Sequence, residues 1–205
     1  MGGTILRLYP SYRGSLVSLT FEPLAIEGVW RITPTPFVDD RGEFSRIFCA
    51  DDFSSYGLNT NWRQVSSSLN YKKGTLRGPH FQFDPYSEIK LVTCSRGAVF
   101  DVVVDLRLES KTFGSYVSLE LSEINSSFVY VPKGCAHGFM SLEDATLINY
   151  FISEDYNLGS SSGIFWGDED VKIAWPIDPV MVSDKDEKLP SLNELRVLLG
   201  NSELR

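Results

Sequence analysis

The run Val99-Phe100-Asp101-Val102-Val103-Val104-Asp105-Leu106 decides the fold class. Its β-branched side chains fit a pleated surface, and a short apolar run closed by Arg107 reads as a buried strand. Similar runs lie downstream. Tyr116-Val117-Ser118-Leu119-Glu120-Leu121 alternates, with Val117, Leu119 and Leu121 on one face, and Phe128-Val129-Tyr130-Val131-Pro132 and Thr146-Leu147-Ile148-Asn149-Tyr150-Phe151-Ile152 continue the series. Arg96-Gly97, Phe113-Gly114, Lys133-Gly134 and Asn157-Leu158-Gly159 punctuate them as turns. From Val29 to about Pro176 this spacing predicts an all-β sandwich or barrel.

Helix is scarce. Asp51 to Gly57 predicts one short helix, capped by an acidic residue and ended by the glycine. Ser191 followed by Leu192, Leu195, Leu198 and Leu199 predicts a second, stopped by Gly200. The first twenty residues carry little pattern and read as an N-terminal extension or an exchanged strand. Residues 21–205 then form a single domain, a comfortable length for one core.

Composition narrows the function. Nineteen basic against twenty-seven acidic side chains leave a net charge of −8, the wrong sign for a surface that tracks nucleic-acid phosphates. Any anionic ligand must be held by a few local Arg and Lys residues. No apolar run reaches the roughly 18–20 residues of a membrane span, so no membrane association is expected. The N-terminus lacks the apolar core of a signal peptide, and Leu6 stands where a myristoylation pattern needs Ser or Thr. Cys49, Cys94 and Cys135 are odd in number and widely spaced, which suits reduced thiols in a cytoplasmic protein. Asn125-Ser126-Ser127 is a formal glycosylation sequon with nothing else to suggest secretion.

The chain has two histidines, His80 and His137. Each sits among glycines, in Leu76-Arg77-Gly78-Pro79-His80-Phe81-Gln82 and in Pro132-Lys133-Gly134-Cys135-Ala136-His137-Gly138-Phe139. Metal centres in small β-sandwich enzymes usually take about three imidazoles and a carboxylate, so two imidazoles predict no metal site; no cofactor is expected.

These two motifs do not stand alone. Asp40-Arg41-Gly42-Glu43-Phe44, Lys90-Leu91-Val92, Phe100 to Arg107, Trp175-Pro176 and Ser183-Asp184-Lys185-Asp186 accompany them in order. In that order and spacing the chain, from roughly Phe21 to Leu192, resembles the dTDP-4-dehydrorhamnose 3,5-epimerase family. The resemblance implies a metal-free, cupin-type jelly roll, usually a homodimer. It would act on a nucleotide-diphosphate 4-keto-6-deoxyhexose, removing a proton next to the C4 ketone and returning one to the opposite face.

Roles follow position by position. His80 matches the general base and Asp186 the carboxylate paired with it, an arrangement that fixes the tautomer and steadies the imidazolium. Tyr150 matches the general acid, and a phenol can protonate a carbanion while remaining neutral. Lys90 matches the cation beside the C4 oxygen, where it would stabilise an enolate. His137 matches the second active-site histidine, and Gln64 a polar residue of the cleft. Arg77 and Arg41 match diphosphate contacts, with Arg41 supplied by the neighbouring subunit, and Phe44 of the same motif matches a substrate-binding position. Tyr156 matches a position that could stack a base.

The sequence departs from the family at Ser66, where asparagine is frequent, at Arg46, which replaces a glutamate, and at Pro79, which replaces leucine or methionine. Asp155 stands where some members place an aromatic residue. A nucleotide-sugar 3,4-ketoisomerase and a non-catalytic nucleotide-sugar-binding jelly roll are the alternative readings.

Overall fold

The computed structural model describes residues 17–202. The expectations for signal, myristoylation and most of the N-terminal extension fall on residues 1–16, outside the described residues.

Two antiparallel sheets face one another. The larger holds β1 (Ser18–Pro23), β2 (Trp30–Thr35), β5 (Gln64–Asn70), β7 (Lys90–Arg96), β10 (Phe128–Val131) and β12 (Thr146–Ile152), in the order β1-β2-β10-β7-β12-β5. The smaller holds β6 (Leu76–Gln82), β8 (Ala98–Asp105), β9 (Tyr116–Ser122), β11 (Cys135–Ser141) and β13 (Ser161–Gly163), in the order β13-β6-β11-β8-β9. A hairpin of β3 (Phe37–Asp39) and β4 (Gly42–Phe44) stands apart from both. This is the all-β fold that the strand spacing predicts and the jelly roll that the family resemblance implies, and the ambiguity between sandwich and barrel resolves to a sandwich. Ser18, Leu19 and Thr20 pair with Thr35, Pro34 and Thr33, so β1 crosses the expected boundary between residues 20 and 21.

Strand alternation builds three apolar layers from the same segments. Val99 and Val103 of β8 meet Val92, Cys94, Leu119, Leu121, Phe139 and Ile148 between the sheets. Val102 and Val104 point the other way, onto Phe81, Ile164, Leu192 and Leu195. The outer face of the larger sheet is covered around Ile32, Leu91, Phe128 and Tyr130 by Phe53, Phe48 and Trp62. A strand buried on both faces has no polar face, which is why β8 reads as a near-continuous apolar run.

The helices differ from expectation at their ends. α1 (Ala50–Ser55) starts after Cys49, which makes no side-chain cap; Asp51 and Asp52 lie in its first turn, where they favour the helix dipole without capping. α2 (Leu192–Ser202) runs through Gly200, which does not take the left-handed conformation of a terminating glycine. A helical glycine costs about 1 kcal/mol against alanine, too little to end a docked helix. The start of α2 is well held. The Glu194 carboxylate accepts from Ser191 N and Oγ (both 2.8 Å), and Asp168 accepts from Leu192 N (2.8 Å).

Cys49, Cys94 and Cys135 are free, and burial pushes the Cys94 thiol to about 11 and the Cys135 thiol to about 12. Both stay protonated and unreactive at neutral pH.

Asp105, fully buried at the end of β8, ties down the following turn. It accepts from Arg107 Nε (2.8 Å) and Nη2 (2.9 Å), Ser110 Oγ (2.6 Å) and Thr112 Oγ1 (2.6 Å). Burial pushes its carboxyl upward, but the Arg107 guanidinium and the two hydroxyls outweigh that and bring it to about 2. The folded value lies below the unfolded one. The stabilisation is therefore complete above the normal carboxylate range and fades as pH falls towards about 2. Asp105→Asn should cost about 2 kcal/mol at pH 7, and chemical denaturation across pH should show the gap to wild type closing between roughly pH 4 and pH 2.

Candidate active site

Between the sheets, at one end, the apolar packing gives way to a cavity of about 560 Å³. The residues lining it continue the core-facing registers. β12 carries Ile148 in the core and Tyr150 in the cavity wall; β7 carries Cys94 and Val92, then Lys90; β11 carries Phe139 and Cys135 with His137 between them. Gln64, Ser66 and Ser68 line it from β5, and Arg77 and His80 from β6.

Arg77 and His80 are three residues apart, so a regular strand would point them to opposite faces. A bulge prevents this. His80 pairs with His137 and Arg77 with Phe139, so Gly78 and Pro79 together oppose the single residue Gly138. The extra residue restores a common face for Arg77 and His80. Pro79, the unusual residue before His80, occupies a position that needs no ladder N–H, and its carbonyl accepts from Ile164 N (3.0 Å). Gly138 is required by the close approach: a Cβ there would lie 2.8 Å from Arg77 O and 2.8 Å from Pro79 Cα.

Each histidine is bonded to a carboxylate. His80 Nε2 lies 2.5 Å from Asp186 Oδ1, and Asp186 Oδ2 accepts from Gly78 N (3.2 Å). Burial pushes the Asp186 carboxyl upward, but His80 and the Gly78 N–H outweigh it and hold it below the usual carboxylate value. His80 is about one-third exposed while Asp186 is buried, so the ring meets the cavity with its carboxylate behind it. His137 Nε2 lies 2.8 Å from Asp101 Oδ2, and both residues are buried. Burial raises the Asp101 carboxyl, with His137 acting against the rise.

Tyr150 comes from the opposite sheet and packs edge-on to His137, with ring centroids 6.1 Å apart. Burial, and then the nearby Asp101 charge, push its phenol far above the normal tyrosine value, so it remains a proton donor across the neutral range. Lys90, also from the larger sheet, donates from Nζ to His80 O (3.0 Å) and to Glu88 Oε1 (2.9 Å). Arg77 Nε donates to Asn70 Oδ1 (2.8 Å), and Gln64 Nε2 donates to Glu154 O (2.8 Å). Tyr156 lies at the cavity rim, 61% exposed.

Eight of the ten residues expected from the sequence thus meet at one cavity. Arg41 and Phe44 do not. They project from the β3–β4 hairpin, where Arg41 is paired with Asp39 (2.6 Å) and Phe44 is 67% exposed. Glu88, Asp101 and Asn70 are additions that the sequence reading did not single out. A carboxylate in the middle of the Val99–Leu106 run is a visible signal for Asp101, whereas Glu88 and Asn70 have none. Among the described residues no group of three or more His, Cys, Asp or Glu side chains is placed to share a metal ion, and no helix is long and apolar enough to cross a membrane.

The sequence profile of dTDP-4-dehydrorhamnose 3,5-epimerase matches residues 23–194. Together with the fold and the cleft, this defines the protein as a cupin-type jelly-roll isomerase acting on sugar nucleotides. A curated dTDP-4-dehydrorhamnose 3,5-epimerase from Sinorhizobium fredii is 40% identical over 198 residues, 96% of each chain. Among solved structures, NovW of Streptomyces spheroides, a 4-keto-6-deoxy sugar epimerase, superposes with a TM-score of 0.84 at 36% identity, over 92% of this chain and 94% of that one. The Legionella pneumophila RmlC epimerase, solved with dTDP-4-keto-L-rhamnose, gives 0.83 at 34% identity, over 89% and 97%. The chain belongs to the dTDP-4-dehydrorhamnose 3,5-epimerase family.

If the bulge sets the site, Gly138→Ala should disturb it more than it disturbs the fold. Overpacking costs about 1–3 kcal/mol, whereas a shift of about 1 Å in catalytic geometry costs about 100-fold in rate. The expected result is a folded variant by circular dichroism with at least a tenfold loss of turnover.

Proposed function

We propose that this protein epimerises a dTDP-linked 4-keto-6-deoxyhexose at C3, C5 or both, through proton transfer by its own side chains. One observation carries the reading: the His80–Asp186 pair and Tyr150 face the same cavity from opposite sheets, with Lys90 in its wall bonded to the backbone of His80.

C3 and C5 both flank the C4 ketone, so their protons are acidified by it. His80, with Nε2 committed to Asp186, uses its other ring nitrogen to take a proton from carbon, and the Asp186 carboxylate stabilises the imidazolium. The electron pair left on carbon moves into the C3–C4 or C4–C5 bond and onto the C4 oxygen. There the Lys90 ammonium stabilises the enolate. Tyr150 returns a proton to the carbon from the other side as the enolate collapses to the ketone. The resulting phenolate, disfavoured by burial, regains its proton from solvent, and the His80 imidazolium releases its own there. His137, held by Asp101, orients a sugar oxygen.

The diphosphate meets Arg77, whose Nε is fixed by Asn70 so that the terminal nitrogens are directed to phosphate oxygens. Tyr156 stacks on the base. Relatives with dTDP-sugar ligands, such as the Legionella enzyme, support the choice of nucleotide. Residues 21–205, extended by the start of β1, act as one catalytic domain, and the free buried thiols suit a reducing compartment such as the cytoplasm. The exposed hairpin supports a homodimer in which Arg41 and Phe44 of one subunit reach the other's nucleotide.

Proton NMR of dTDP-4-keto-6-deoxyglucose with the enzyme in deuterated water should show exchange at C3, C5 or both, with inversion at the exchanging centres. His80→Ala should lose about 10²–10⁴-fold in rate. Tyr150→Phe should retain partial exchange while inversion falls. No exchange with wild type would overturn the reading. Arg41→Ala should raise KM at least tenfold with kcat largely retained; an unchanged KM would remove the hairpin from the ligand site.

A further inference from the structure

Glu88 lies in the wall of the same cavity with its side chain 6% exposed. One carboxylate oxygen accepts from Lys90 Nζ at 2.9 Å; the other, Oε2, is buried and has no partner. A carboxylate half unsatisfied in a protein interior is costly, and an apolar or amide residue would fill the position with less penalty. Such a group in a native structure calls for an explanation.

The explanation lies in what Lys90 lacks by itself. An ammonium on a four-carbon stem carries about 2 kcal/mol of rotamer entropy, and an unrestrained one samples many positions. Here Nζ has three N–H donors, of which one goes to His80 O (3.0 Å) and one to Glu88 Oε1. Two fixed donors determine the direction of the third. Glu88 can serve because it stands two residues before Lys90 in extended chain, on the same face. Reciprocal bonds hold that segment to the end of β12: Ile89 N donates to Ser153 Oγ (2.8 Å) and Ser153 N to Ile89 O (3.0 Å).

We infer that Glu88 is a positioning residue for Lys90, fixing the ammonium so that its remaining N–H is aimed at the point in the cleft where the C4 enolate oxygen forms. The inference deepens the epimerase reading and rests on it. It also explains how the cleft tolerates Arg77, Lys90 and Lys185 together, since the Glu88 charge offsets one of the three. An oxyanion site built in advance needs no reorganisation when charge develops, so the benefit falls on the transition state and not on substrate binding.

The test is steady-state epimerisation of dTDP-4-keto-6-deoxyglucose by Glu88→Ala, Glu88→Gln, Lys90→Met and the Glu88→Ala/Lys90→Met double variant. Thermal unfolding of each reads its folded state. Glu88→Ala should lower kcat about 100-fold with KM within about twofold. Glu88→Gln, which keeps an acceptor of the same shape, should recover most of that loss. In the Lys90→Met background, Glu88→Ala should add no further loss, because the two residues act as one unit. Equal fractional losses of Glu88→Ala in both backgrounds, a rise in KM without a fall in kcat, or a fall that tracks the unfolded fraction would each overturn the inference. Should Glu88→Ala not fold, the same cycle run with Glu88→Leu, which fills the volume but offers no acceptor, must show coupling to Lys90, and additive losses would overturn it. If wild type shows no epimerisation and no solvent exchange, the epimerase reading itself falls.

Discussion

The pairing of β6 with β11 is the constraint on which the site depends. It sets His80 against His137 across neighbouring strands, and the bulge at Gly78-Pro79 turns Arg77 to the same face. The contact is so close that Gly138 has no room for a Cβ, and neither has Gly78, where one would lie 2.8 Å from His137 O and 2.8 Å from His80 N. Gly78 also adopts φ of +78°, a conformation open to glycine and strained for other residues. Its N–H reaches Asp186, so the same glycine that shapes the bulge also anchors the carboxylate behind His80.

The site grows out of the core without a change of register. Along β8 the core face runs Val99, Asp101, Val103, and along β11 it runs Cys135, His137, Phe139. Asp101 and His137 therefore interrupt the apolar layer side by side. A buried carboxyl and a buried imidazole each need a hydrogen-bond partner, and each is the other's. Removing one member would leave the other's buried polar group unsatisfied, which typically costs about 1–3 kcal/mol. Asp101 Oδ1 remains unpartnered, a further cost that an all-apolar core would avoid. The pair fixes the orientation of His137, whose ring packs against Tyr150, so a purely buried interaction reaches the cavity through one aromatic contact.

Strand content was legible because alternation and β-branching report directly on burial. Thr146–Ile152 is bounded in the sequence by the same residues that bound β12. The site was legible as a set of residue types in order, and the geometry brings eight of them to one cavity. Helix ends were not, since Cys49 and Gly200 are decided by docking and not by local preference. The bulge is invisible to pattern reading because an extra residue in a strand leaves no mark on composition; only the glycines hint at it. Glu88 escaped for a related reason. A glutamate before a strand is ordinarily a solvated residue, and its burial follows from how β12 closes over the segment. Arg41 and Phe44 show the opposite limit: the motif names them, but within the chain they stand on the β3–β4 hairpin away from the cavity, with Arg41 paired to Asp39.

The sandwich bears on which reaction the cleft favours. Moving a carbonyl between neighbouring carbons, as a 3,4-ketoisomerase does, takes a proton from one carbon and delivers one to the next. A single base on one face of an enediol suffices for that. Inversion requires removal on one face and return on the other. In a two-sheet fold, groups placed on opposite sheets approach a ligand held between them from opposite sides. His80 stands on the five-stranded sheet and Tyr150 on the six-stranded one, and the phenol is kept protonated by burial. The layered fold thus places the His80 ring and the Tyr150 phenol on opposite walls of the cleft, the two-faced arrangement that epimerisation needs, and Lys90 spans the gap to bond the backbone of His80.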